Sequence, residues 1–128
     1  MTKVLHDDVL DAALDWIANA GDIIFLCTAA PTTYTQASST YKLADHAMTE
    51  GDGNGDYTIG DDGTSGRKLT VVTQTGIVVD TTGTVTHVAI CDSVAQKVLA
   101  VTSVTSQSVT AAGTCSLAGF TVTVNDPT

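Results

Sequence analysis

From Arg67 onward, runs of β-branched residues recur about every ten positions, each closed by a turn signal. Residues 68–73, 76–80, 84–92, 97–103, 106–111 and 120–125 read as strands. Thr81, Thr82 and Gly83 make a tight turn, and residues 93–96 join the strand at 84–92 to the one at 97–103. Within 84–92, alternation places Val85, His87, Ala89 and Cys91 on one face and Thr84, Thr86, Val88 and Ile90 on the other. Such alternation suits antiparallel strands with one wet face. Evenly spaced short strands predict a mainly β chain, an antiparallel β-sandwich or barrel-like domain.

The N-terminal part has a different period. Leu5, Val9, Ala13, Trp16, Ile17 and Ala20 recur at steps of three and four, which predicts one N-terminal α-helix over 1–21. Asp7, Asp8 and Asp11 lie in its early turns, where negative charge suits the helix dipole. Gly21 offers a left-handed stop. Trp16, the sole Trp, is expected to anchor the helix on a sheet or on a neighbouring subunit. Residues 22–28 read as a buried strand and 41–48 as a strand or one helical turn. Residues 30–40 and 50–66 are expected to be long loops, the second with room for a short strand at 56–59. The whole chain, 1–128, is expected to be a single domain, with 22–128 as its β part.

Composition narrows the function. The chain has 14 acidic and 5 basic residues, a formal net charge of −9. Phosphate contacts need clustered Lys and Arg, so nucleic acid is not an expected partner. Anionic lipid is disfavoured for the same reason, and no segment approaches the ~20 apolar residues of a membrane span. The N-terminus lacks the pattern of a secretory signal, so a soluble protein made in the cytoplasm is expected. A compartment filled with DNA would repel this chain, which favours an outer surface. Charged residues make up only 15% of the chain and Thr is the commonest residue; neutral faces of this kind suit interfaces whose centres are depleted in charge. The three Cys, Cys27, Cys91 and Cys115, are too few and too widely spaced for a disulfide framework and are expected to be buried thiols.

Candidate chemistry is sparse. His6 lies among acids on the helix, and His46 has only Asp45 beside it. His87 and Cys91 share a strand face and form the one conceivable nucleophilic dyad. Asp52, Asn54 and Asp56 match the first three ligand positions of a calcium-binding hand, with Asp61 and Asp62 nearby. The match fails where Tyr57 stands in place of Gly and Gly63 in place of Glu. A solvated acidic loop is the expectation, with no catalytic residue, no cofactor and no metal. Trp16, Tyr34, Tyr41 and Tyr57 are the candidate interface residues; the three Tyr, all in expected loops, could form a platform for a glycan.

The segment Ser65-Gly66-Arg67-Lys68-Leu69-Thr70-Val71 continues through Gly83-Thr84-Val85-Thr86-His87-Val88-Ala89-Ile90-Cys91-Asp92 to Leu99-Ala100-Val101-Thr102 and Thr105-Ser106-Gln107-Ser108-Val109-Thr110. With Leu26-Cys27-Thr28-Ala29-Ala30-Pro31-Thr32-Thr33-Tyr34 upstream, it resembles a group of small tailed-bacteriophage proteins encoded among virion structural genes. The resemblance covers most of the chain through loose strand motifs and carries no catalytic signature. It implies a non-enzymatic structural virion protein, with a capsid decoration (cement) protein on the outer head as the favoured role. A tail, fibre or connector-associated module is the alternative. The implied partners are the major capsid protein and copies of the chain itself; capsids offer many local three-fold axes, so a trimer is expected.

Overall fold

The structure is a computed structural model that describes residues 5–63 and 66–125. Helix α1 spans Asp7–Ala20, with the His6 ring accepting from the Asp8 N–H at its start. Its inward stripe is Leu10, Leu14 and Ala18, with Ile17 half-buried beside them. The stripe expected from the sequence is displaced: Val9 is 55% exposed and Trp16 62% exposed. The apolar arc of this helix is too wide for periodicity to choose its inner side. Burial of the two Leu side chains holds the inner side, and an ion pair accompanies it. The Arg67 guanidinium donates to both Asp11 oxygens, at 2.6 and 3.2 Å, and to Asp61 at 3.2 Å. This bidentate contact ties the helix to the sheet that carries Arg67.

Gly21 ends the helix, but with φ −77° it is not the left-handed stop expected. It is required for space. A Cβ there would lie 2.6 Å from the Ile17 carbonyl oxygen, 2.7 Å from Ile90 Cγ2 and 2.8 Å from the Tyr57 hydroxyl.

Among the described residues nine strands follow: β1 (Ile23–Cys27), β2 (Lys42–Ala47), β3 (Tyr57–Asp61), β4 (Arg67–Val71), β5 (Gln74–Val78), β6 (Gly83–Asp92), β7 (Lys97–Val109), β8 (Thr114–Leu117) and β9 (Phe120–Val124). All named pairs are antiparallel, in a four-stranded sheet β2-β1-β6-β7, a three-stranded sheet β3-β4-β9 and a two-stranded ribbon β5-β8. Among the described residues no barrel closes; the sheets and α1 enclose one main core in a sandwich-like arrangement. The stretch at 41–48 resolves as strand β2. Residues 106–109 continue β7 instead of starting a new strand, and β8 is an element the sequence pattern did not separate.

The strands β4 and β5 run on from one another, as do β8 and β9, so the two pairs form one ribbon bent between the sheets. Gly119 sits at the bend, where a Cβ would meet the Val71 carbonyl oxygen at 2.8 Å. Gln74, buried at the same bend, donates to the Val72 carbonyl at 2.9 Å and to Asp56 Oδ1 at 3.1 Å. Beyond it, Val79 bridges to Ala44, so the end of the ribbon meets the outer edge of β2 at that point.

Alternation in β6 breaks its phase. The register of β6 on β7 shifts between Val85 and His87. Val85 therefore joins Val88 and Ile90 in the main core, while Ala89 and Cys91 face the opposite side. Two steps along β6 here match four along β7, and Val85 and Val88, three residues apart, face the same core, so a strict two-residue count loses its phase at this irregularity.

That opposite side is covered by residues 28–41. The expected loop here contains a helical turn ending in the one-turn π-helix Gln36–Thr40. The Thr33 hydroxyl accepts the Gln36 N–H at 3.2 Å, and Gln36 Oε1 accepts the Thr32 N–H at 2.8 Å, a capping arrangement that nucleates the turn. Ala37 is thereby pressed onto Phe25, Cys27, Ala89 and Cys91 as a second, smaller core.

Candidate docking surface

The outer stripe of α1 is apolar and exposed. Val9 and Trp16 project from it into solvent, and Leu5, just before the helix, is exposed as well. Below Trp16 lies a groove of about 480 Å³ lined by Ala12, Asp15, Trp16, Asn19, Ala20 and Asp92. Its far wall is the start of the β6–β7 turn, where the Asp92 carboxylate accepts the N–H groups of Val94 and Ala95 at 2.9 and 3.0 Å. Asp22 fastens the same turn, accepting the Ser93 N–H at 2.8 Å and the Ser93 hydroxyl. Val94, 90% exposed, stands at the tip. The surface thus combines an apolar centre with carboxylates at its rim, on a rigid helix and a tied turn.

The other expected interface residues do not converge. Tyr57 is completely buried in the main core, and its hydroxyl donates to the Gly21 carbonyl at 2.6 Å. It is a core residue because it opens β3 beside α1, within the short strand expected at 56–59. Tyr34 and Tyr41 are half-buried over the second core, Tyr34 edge-on to Phe25 with ring centroids 5.8 Å apart. The Tyr platform for a glycan is therefore not formed.

The acidic loop spends its side chains on its own structure. Asp52 Oδ1 accepts the Ile59 N–H at 2.9 Å, Asn54 donates to the Glu50 carbonyl at 2.9 Å, and Asp56 accepts the Thr49 N–H at 2.6 Å besides the Gln74 amide. Burial raises the Asp56 pKa, but these two donors outweigh it and hold the carboxyl below its ordinary value. Asp61 pairs with Arg67. Asp52, Asn54 and Asp56 thus point at three different backbone or side-chain partners, and among the described residues no cluster of metal-ligating side chains forms.

His87 and Cys91 share a face, but four strand residues separate them by about 13 Å. The His87 ring instead contacts the Thr86 hydroxyl at 2.8 Å. All three Cys are buried free thiols. Burial pushes Cys91 up to about 12 and Cys27 up to about 11, so neither supplies a thiolate near neutral pH. Among the described residues no helix is long and apolar enough to cross a membrane. Compared with protein families, curated proteins and solved structures, the chain gives no match.

Proposed function

We propose that this chain is a non-enzymatic structural virion protein of a tailed bacteriophage, a capsid decoration protein that docks on the outer head lattice. The observation that carries the docking part is the second apolar stripe of α1, led by Trp16 at 62% exposure. A helix that needed only to cap its own core would be polar on that side. Covering Trp16 and Val9 on a partner is worth on the order of 2–4 kcal/mol per copy. On a lattice with many equivalent sites, that suffices for occupancy when summed with rim contacts. Asp15 and Asp92 call for N–H donors or cations on the partner surface around an apolar patch. The virion setting itself rests on the strand-segment resemblance and on the acidic charge, which suits the outside of a DNA container.

Counting copies per particle by quantitative mass spectrometry tests the reading. Tens to hundreds of copies are expected, and a handful would overturn the decoration role in favour of a tail or connector position. Trp16→Ala is expected to leave the melting temperature nearly unchanged, because the side chain lies outside the core. The same variant should empty the particle of this protein.

A further inference from the structure

One edge of the three-stranded sheet carries information that the helix surface does not. Strand β9 pairs with β4 alone, in a regular register from Arg67↔Val124 to Val71↔Phe120. Its outer edge has no strand partner among the described residues. Exposed edges are normally guarded by charge, Pro or a bulge. In β9 the sequence is Phe120-Thr121-Val122-Thr123-Val124, which has none of these. No charged residue occurs anywhere between Lys97 and Asp126. The apolar face of the strand is also unfinished: Phe120, Val122 and Val124 pack on the main core yet are each only half-buried. Phe120 further borders an open cleft of about 710 Å³ whose floor includes the core residues Leu26, Val85 and Leu117.

We propose that β9 pairs edge to edge with β9 of a second copy of this chain about a two-fold axis, joining the two sheets into one. The occupant follows from charge and from sequence symmetry. Two copies of a chain with net charge −9 repel unless they meet where carboxylates are absent, and β9 lies inside such a stretch. Antiparallel pairing centred on Val122 sets Val122 against Val122, Phe120 against Val124 and Thr121 against Thr123. Every cross-strand pair is then apolar with apolar or Thr with Thr, combinations that stabilise sheets. A two-fold axis normal to the sheet keeps the apolar faces on one side, so each copy covers the other's half-exposed row. Strand β7, the free edge of the four-stranded sheet, is less suited, because its register against β6 shifts twice. The inference stands apart from the virion role, since it concerns the chain alone.

Sedimentation velocity of the full chain across a concentration series tests it, together with two charge variants at exposed positions. Thr121→Lys/Thr123→Lys and Thr121→Glu/Thr123→Glu are each expected to stay folded by circular dichroism and to weaken the dimer on the order of ten-fold, because like charges then stand opposite one another. An equimolar mixture of the two variants should restore dimerisation. A wild-type chain that remains monomeric to millimolar concentration would overturn the proposal. So would a dimer or trimer that both variants leave unchanged. Protection of the β9 amides that arises only on the assembled particle, with a monomer in solution, would also overturn it and assign the edge to a lattice partner.

Discussion

The two outer strands of the three-stranded sheet sit on the same rung yet are finished differently. Tyr57 of β3 and Phe120 of β9 both pair with Val71 of β4. On the β3 side the acidic loop folds back along the edge. Asp52 Oδ1 takes the Ile59 N–H, the Gly53 N–H donates to the Tyr57 carbonyl at 2.8 Å, and Asp52 bridges to Tyr57. The loop imitates a further strand with one carboxylate and one amide. On the β9 side nothing among the described residues does this, and the strand is uncharged. A feature that resembled a metal loop is in this light an edge cover, and the edge without a cover is the one open to another chain.

The largest difference between the sides should appear at the shared rung. Tyr57→Ala removes a fully buried ring and is expected to cost about 3–5 kcal/mol, while Phe120→Ala, half-exposed, should cost about half as much; urea unfolding of both variants measures the gap. Equal costs would mean that the β9 side is as closed as the β3 side. Tyr57→Phe isolates the polar part. It leaves the buried Gly21 carbonyl without its donor and should cost about 1–2 kcal/mol. Asp52→Ala opens the covered edge, with a loss of about 1 kcal/mol and faster exchange of the Ile59 amide. The smallest effect is acid-linked. The folded pKa of Asp56 is depressed, so its stabilisation is fully present above the unfolded value of about 3.9 and fades as the pH falls through the lower folded value. Asp56→Asn should flatten that part of the melting-temperature curve below about pH 4.

Much of this architecture was legible in the sequence. The switch from a helical period to alternating runs marked α1 and placed most strands to within a few residues. What escaped had physical causes. The rotation of α1 was hidden because Leu10, Leu14 and Ala18 keep the same helical period as Val9, Ala13 and Trp16, and the partner that ties the buried side to the sheet, Arg67, is far away in sequence. The face of Val85 was hidden because the irregularity between Val85 and Val88 is invisible to a two-residue count. The turn at 33–40 had a readable capping signal in Thr33 and Gln36, masked by the surrounding Thr and Ser. Of the candidate interface residues, Trp16 is exposed, whereas Tyr57 lies in the core, hidden from a sequence reading by the Gly-rich approach to β3. The open edge also had a sequence signal, the uncharged stretch after Lys97, but only the strand order gave it meaning.

Amide hydrogen exchange at two protein concentrations, resolved by residue, tests the asymmetry most directly. The Ile59 amide should be protected equally at low and high concentration, because its partner is Asp52 of the same chain, whereas amides of Phe120–Val124 should gain protection as concentration rises. If the β9 amides exchange at the same rate at both concentrations, or if Ile59 follows concentration as they do, the distinction between a closed and an open edge is contradicted.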